Sequence, residues 1–330
     1  MAPRYNHTTK GSDLVAELAD NIKGKTILIT GASPGGIGAL YAAAVARASP
    51  AFMILTGRTI ASIEATAQAV AQANPAVKTK MVAMDLGSLT SVRTAAREIM
   101  SDDISHIDVL VLNAGIMAPP YSKTADGFES QFGVNHLGHF VFANSVMPKV
   151  LNAKSPRVVV VSSNGHRLSP IRWGDIGFQD GKVYDKWSAY GQSKTGNNLF
   201  ALSLATKLGS RGLQAFSLCP GAYMSNLIRH LDLSENGDAL PSLRAADERL
   251  GTPASIPNLN IPFRDEETVI ATHVLVSFSD DIRPFNGQHF TTCAVAQQDR
   301  DEVLPWANNA IEAERLWRLS EDLVGEKFAY

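Results

Sequence analysis

Tyr190 and Lys194 lie four residues apart in the stretch Ser188-Ala189-Tyr190-Gly191-Gln192-Ser193-Lys194. On a helix that spacing puts both side chains on one face. A free phenol ionises near pH ~10, too high for efficient proton transfer at neutral pH. A neighbouring ammonium favours the phenolate, so the pair predicts a tyrosine acid/base whose pKa Lys194 lowers. Alone, such a pair is common on helix surfaces. Its meaning depends on its surroundings.

A second constellation is Thr30–Gly38, reading TGASPGGIG, between the β-branched run 25–30 and an alanine-rich stretch. Gly31 can take backbone angles closed to other residues. Gly35 or Gly36 lets the chain approach a pyrophosphate, and Gly38 permits close packing of helix on sheet. Free N–H groups at the helix start then face the anion. The next apolar run ends Leu55-Thr56-Gly57-Arg58-Thr59, without the carboxylate that often binds ribose hydroxyls. Arg58 stands where a 2′-phosphate would lie, and a guanidinium suits phosphate through its forked donors. This favours NADP(H) over NAD(H).

Strand and helix signals alternate around these residues. Short apolar runs at 25–30, 51–56, 77–86, 109–112, 157–162 and 213–218 end at turn residues. Helical stretches separate them at 39–48, 59–74, 88–100, 128–151 and 188–208. Strands spaced by helices give βαβ units, and near-continuous apolar runs suit strands buried on both faces. The expected fold is α/β, a Rossmann-type doubly wound parallel sheet in a single domain over 24–330, with helices on both faces. Residues 1–23 read as an N-terminal extension with a short amphipathic helix. Residues 222–265 read as a loop excursion on the substrate side, 287–293 as a last strand and 308–324 as a closing helix.

Several further motifs occur in one order along the chain. These are Asn113-Ala114-Gly115, Asn135 within GVNHLGHF, Ser162-Ser163 ending a strand, Tyr190 with Lys194, and Cys219-Pro220-Gly221. Together with TGASPGGIG they resemble the motif set of the classical short-chain dehydrogenases/reductases. The resemblance covers about residues 24–226, and more loosely extends through Gly287–Cys293. It implies that Asn135, Ser163, Tyr190 and Lys194 are catalytic. Tyr190 would exchange a proton with the substrate oxygen. Lys194 would hold the nicotinamide ribose and lower the tyrosine pKa. Ser163, rather than Ser162, would hydrogen-bond the substrate oxygen, and Asn135 would support a proton relay through water and Lys194. The implied cofactor residues are Gly31, Ser33, Gly35, Gly36, Ile37, Gly38, Arg58, Asp85, Leu86, Asn113, Ala114, Gly115, Pro220, Gly221 and Ser225, with Tyr190 and Lys194. Val134 stands beside them. VNHLGHF, SSNGH and the long gap from Ser163 to Tyr190 resemble the branch that includes retinol dehydrogenases and WW-domain oxidoreductases.

Bulk composition narrows the function classes. The 330 residues are 45% apolar and 19% charged, with a net charge of −2. No basic field points to nucleic acid. The N-terminal residues lack the long apolar stretch of a membrane anchor. Two cysteines predict no disulfide framework and a reducing, cytoplasmic setting. The eight histidines are scattered without ligand spacing, so no metal is expected. His136 and His139 read as helix residues, and His166 as a structural hydrogen-bonding group. Trp173, Phe178, Tyr184 and Trp187, with Tyr223, Met224, Leu227 and Ile228, are expected to border a cleft for a medium-sized hydrophobic carbonyl or alcohol. The expected activity is NADP(H)-dependent interconversion of the two. Reduction of an imine or C=C bond, a cyclisation, or a non-catalytic sensor are the alternatives. The family often forms homodimers or homotetramers through the helices near 128–151 and 188–208, contacts that the long C-terminal part is positioned to block or reshape.

Overall fold

The computed structural model describes residues 4–229, 231–234, 236–250, 263–300 and 302–330. Each apolar run becomes a strand because its side chains alternate between two packed faces. Leu28, Ile54, Leu110, Leu112, Val158 and Val160 enter one core cluster. Ile27, Ile29, Met53, Leu55, Val109, Val111, Val159 and Val161 enter the other. Burial of each such side chain contributes about 1.5–3 kcal/mol, which is why uniformly apolar strands settle in the middle layer.

The strands are β1 (Thr26–Thr30), β2 (Phe52–Gly57), β3 (Lys78–Ala83), β4 (Val109–Leu112), β5 (Arg157–Val161), β6 (Gln214–Cys219), β7 (His289–Thr291) and β8 (Ala294–Val295). They form one sheet in the order β3-β2-β1-β4-β5-β6-β7-β8. The first seven pair in parallel, giving the doubly wound α/β arrangement. Strand β8 differs from expectation: it returns antiparallel to β7. Thr292 and Cys293 make that two-residue turn with φ of 48° and 60°, and neither residue type announces such a turn.

The helices are α1 (Gly11–Glu17), α2 (Ala19–Ile22), α3 (Ile37–Ala46), α4 (Ala61–Ala73), α5 (Leu89–Ser101), α6 (Ser130–Phe132), α7 (Gly138–Leu151), α8 (Lys186–Leu208), α9 (Ala239–Arg249), α10 (Glu266–Phe278) and α11 (Ala310–Val324). Helices α5, α7, α8 and α11 cover one face of the sheet. Helices α1, α3, α4 and α10 cover the other. Ser88 caps α5 by accepting from Ser91 N, and Asp185 caps α8 by accepting from Ser188 N. The N-terminal helix α1 docks on α10, burying Leu14 and Val15, and Ser12 N donates to Glu267 at 2.9 Å. Among the described residues no helix is long and apolar enough to cross a membrane.

The excursion after β6 is more structured than its composition predicts. Residues 251–262 of the expected 222–265 loop lie outside the described residues, but α9 forms within it. Three consecutive residues at the start of α8 hold α9 in place. Asp185 pairs with Arg249, Lys186 with Asp238, and Trp187 Nε1 donates to Ser242 Oγ at 2.9 Å.

Candidate active site

The site gathers where strands β1, β4, β5 and β6, adjacent in the sheet, all end. Strand order reverses between β1 and β4, which opens a crevice at the carboxyl ends of the strands. The glycine turn follows β1, Asn113-Ala114-Gly115 follows β4, Ser162-Ser163 follows β5 and Pro220-Gly221 follows β6.

The glycine turn sorts its members. Gly31 has φ +71°, and a Cβ there would meet Ala114 Cα at 2.7 Å. Gly38 packs so closely that a Cβ would meet Asn113 Nδ2 and Gly31 O at 2.6 Å. Gly35 has φ +74°, whereas Gly36 has φ −103° and occupies the cap position of α3. Of the two, Gly35 is the one whose backbone angles require glycine. No side chain caps α3, and the N–H groups of Ile37 and Gly38 have no acceptor among the described residues. An uncapped helix start behind a glycine turn fits a pyrophosphate. Ser33 lies in the turn, with its hydroxyl near Gly57. Arg58 is exposed just after β2 and makes no ion pair among the described residues. Asp85 is exposed, with Oδ1 accepting from Gly87 N at 2.9 Å. Leu86 is buried, and Gly87 lies against Val134.

The turn after β4 is fixed from beneath. Asn113 N and Ala114 N both donate to Thr30 Oγ1, at 3.0 and 3.1 Å. Asn113 Nδ2 donates to the carbonyls of Thr30 and Gly31. Gly115 leaves room beside Asn135 Oδ1 and Lys194 Nζ, which a Cβ would meet at 3.1 and 3.6 Å.

Asn135 sits in a π-turn, Gly133–Leu137, between α6 and α7. Its side chain acts as an extra backbone unit for Ile116, accepting from Ile116 N at 2.8 Å and donating to Ile116 O at 3.0 Å. Nδ2 also donates to Ser193 Oγ at 2.9 Å, and that hydroxyl donates to Tyr190 O. A π-turn re-aims a side chain without breaking its helix, and such turns gather at functional sites.

Ser162 and Ser163 part company. The Ser162 hydroxyl is spent on the carbonyl of Lys194 at 2.8 Å. The Ser163 hydroxyl accepts from Gly165 N at 2.9 Å and lies near enough to the Tyr190 phenol to oppose the rise of its pKa. Gly165 was not foreseen. A Cβ there would meet the Tyr190 ring at 2.6 Å, so only glycine lets the serine turn close on the tyrosine. Gly191 does the same for the backbone at Leu168 and Ser169. Gln131 and Gln192 were also missed. Gln131 accepts from Ala118 N and donates to Tyr184 Oη and Lys186 O. Gln192 accepts from Arg172 N and donates to Ile176 O. Single glutamines in a helical pattern carry no signal of such clamps.

Tyr190 and Lys194 are 5% and 4% exposed, respectively, on the inner face of α8. Lys194 Nζ lies 5.6 Å from the Tyr190 ring centre and donates to Val161 O at 3.2 Å. The expected lowering of the tyrosine pKa by Lys194 is not what the protein's own groups produce. Burial pushes the Tyr190 phenol well above its usual value, against a smaller opposing effect of the Ser163 hydroxyl. Burial also lowers Lys194 to about 8. Desolvation penalises the charged form of each.

An apolar wall flanks the site on one side. Met117, Ala118, Leu168 and Trp187 pack with Leu231, Leu233, Leu243, Ala239 and Ala246. Trp187 therefore belongs to this wall, one helical turn before Tyr190. Trp173 and Phe178 do not border it as expected. Trp173 lies beneath the Arg315 guanidinium of α11 at 4.1 Å. Phe178 is fully buried against Tyr184 and under Arg172, opening a run of left-handed residues, Phe178 to Gly181. Met224 is 59% exposed. Ser225 caps a short turn by accepting from Leu227 N, and Gly221 turns the chain with φ +87°.

Comparisons with known proteins agree with this geometry. The short chain dehydrogenase family model matches residues 25–236. Retinol dehydrogenase 12 of Mus musculus is 32% identical over 304 residues, spanning 92% of this chain and 87% of its own. Retinol dehydrogenase 14 of Mus musculus is 34% identical over 312 residues, spanning 92% and 86%. The short-chain dehydrogenase/reductase prx1 of Penicillium roqueforti is 38% identical over 217 residues, 64% of this chain and 62% of its own. A solved structure of an uncharacterised protein from Mycobacterium paratuberculosis superposes with a TM-score of 0.65 at 30% identity, covering 94% of this chain and 96% of that one. The chain belongs to the short-chain dehydrogenases/reductases, nicotinamide-dependent oxidoreductases, and resembles their retinol dehydrogenase branch.

Proposed function

We propose that the protein uses NADP(H) to interconvert a carbonyl and an alcohol on a medium-sized, hydrophobic small molecule, with Tyr190 as the acid/base. The observation that carries this reading is the meeting of the Ser163 hydroxyl, the Tyr190 phenol and Lys194 at one strand edge. A bound nicotinamide supplies or accepts the hydride at the carbon. The Tyr190 phenol gives its proton to the carbonyl oxygen as the alcohol forms, and recovers it in the reverse direction. Its raised pKa keeps that proton in place until a substrate oxygen takes it. Lys194, at about 8, remains an ammonium at neutral pH and can steady the developing charge. Ser163 donates to the same oxygen, and Asn135 holds the Ile116 backbone and the Ser193 hydroxyl beside them.

The NADP(H) preference rests on Arg58, an exposed guanidinium with no competing carboxylate at the end of β2. The apolar wall around Trp187 supports a hydrophobic substrate, as do the names of the retinol dehydrogenases. Both cysteines are free and buried, in keeping with a reducing, cytoplasmic setting.

Parallel titrations of NADPH and NADH test the cofactor. Wild type should bind NADPH more tightly, and Arg58→Ala should remove the difference. Equal binding would overturn the NADP(H) assignment alone. A screen of apolar aldehydes and ketones, with Tyr190→Phe as control, tests the reaction. Undiminished turnover by Tyr190→Phe would overturn the acid/base assignment.

A further inference from the structure

His139 is fully buried in the first turn of α7. Nothing in the proposed reaction uses it, yet both ring nitrogens are engaged. Nδ1 lies 3.1 Å from the backbone carbonyl of Asn135. Nε2 lies 2.8 Å from Thr30 Oγ1. The proton positions follow from the partners. A carbonyl only accepts, so Nδ1 carries the hydrogen and Nε2 must accept. Thr30 Oγ1 already accepts from Asn113 N and Ala114 N, so its own hydrogen is free for Nε2.

The bonds run in one direction across three elements. The turn after β4 donates to Thr30 at the end of β1. Thr30 donates to His139, and His139 donates to Asn135. The amide of Asn135 continues through Ser193 Oγ to the carbonyl of Tyr190. We propose that His139 is a positioning residue for the active site. Its imidazole fixes Asn135 relative to the Asn113-Ala114-Gly115 turn, and so sets where the Asn135 amide, Lys194 and Tyr190 stand. This inference rests on the proposed function, since it assigns a role within the same site. A neutral ring is required at this place, and burial keeps it so, lowering His139 to about 4. A phenylalanine would fill the volume but break the chain at both nitrogens.

The test uses the full chain and compares His139→Asn, His139→Gln and His139→Phe. An asparagine amide can replace the Nδ1 donor, and a glutamine carbonyl can replace the Nε2 acceptor. Turnover is measured alone and on an Asn135→Ala background, with NADPH affinity and melting temperature alongside. The inference expects kcat to fall about ten- to a hundred-fold for His139→Phe, as for a misplaced catalytic group. The single-bond variants should fall between that variant and wild type. NADPH affinity should change less than about three-fold. On the Asn135→Ala background the same substitutions should lower kcat no further, because the group they position is already gone. Additive losses, or an unchanged kcat in folded variants, would overturn the inference. If His139→Phe does not fold, the asparagine and glutamine variants decide it by the same cycle. Undiminished turnover by Tyr190→Phe would instead sink the proposed function, so the two failures are distinguishable.

Discussion

His166 Nδ1 donates to the backbone carbonyl of Ser163 at 2.7 Å. The other ring nitrogen accepts from Leu304 N at 3.2 Å, and Trp306 Nε1 donates to His166 O. The turn that aims the serine hydroxyl is thus tied to a segment about 140 residues later. Burial lowers His166 to about 4, so the ring is neutral and each nitrogen has one role.

Replacing His166 by phenylalanine leaves the buried Leu304 N–H without its acceptor, while the Ser163 carbonyl keeps only the backbone N–H of residue 166. A lost buried partner costs about 1–3 kcal/mol. The expected outcome is a lower melting temperature together with a kcat reduced about ten-fold or more. Steady-state kinetics on the folded variant check it. An unchanged kcat would mean that the serine hydroxyl is aimed without the histidine.

The two serines after β5 predict opposite phenotypes. Ser163→Ala removes the hydroxyl that meets the Tyr190 phenol, and should lower kcat by about a hundred-fold, as for loss of one donor to a developing oxyanion. Ser162→Ala removes a buried bond to Lys194 O. It should cost about 1 kcal/mol of stability and far less activity. Paired measurements of urea midpoint and kcat separate them. A reversed pattern would move the substrate-facing role to Ser162.

Much of this architecture was legible because its causes are local. The runs at 27–29, 109–112 and 158–161 are apolar without interruption, as burial on both faces requires. The glycine turn advertises itself because Gly31 and Gly38 stand where no Cβ fits. What escaped is non-local. His139 and His166 look alike on paper whether or not they hold Asn135 and Ser163. The docking of α9 depends on Asp185, Lys186 and Trp187 meeting residues about fifty positions away or more. Trp173 was expected at the cleft because aromatic residues in an insertion suggest a pocket, but Arg315 of α11 covers it. The balance at Tyr190 also needed the structure, since spacing shows the neighbouring charge but not the depth of burial.

Buried histidines make the protein acid-sensitive. Burial lowers His139, His166 and His273 from the usual 6.5 to about 4, His136 to about 3, and His289 well below its usual value. A group with a lowered folded pKa leaves stability intact above its unfolded value and erodes it as pH falls toward the folded one. The window therefore opens near pH 6.5 and runs to about 4. Each imidazole removes about 1.4 kcal/mol per pH unit within it. The raised carboxyl of Glu129 works the other way, but as one group against five. Urea midpoints should be level from pH 8 to 7 and fall steeply between 6 and 4.5. A level profile down to pH 4.5 would contradict the buried, neutral state of these rings.

The C-terminal helix should decide how the chain associates. Leu316 and Trp317 of α11 are buried on the face formed by α7 and α8, and Trp317 meets Phe140 edge-on at 5.0 Å. Phe328 also meets Phe140, and Tyr330 Oη donates to Asn144 Oδ1 at 2.7 Å. The chain thus covers with its own last residues the helices through which the family is expected to dimerise. Association through that face should be absent in the full chain. Light scattering after size exclusion checks this: the full chain should elute without a dimer built on α7 and α8. Trp317→Ala should lose about 3–5 kcal/mol through the cavity it leaves. Deletion of residues 308–330 should bare Phe140 and Phe200, producing self-association or aggregation. A deletion that stays soluble and unassociated would show that α7 and α8 do not need the cover. A full-length dimer abolished by substitutions on the exposed side of α11 would show that the helix itself is the contact.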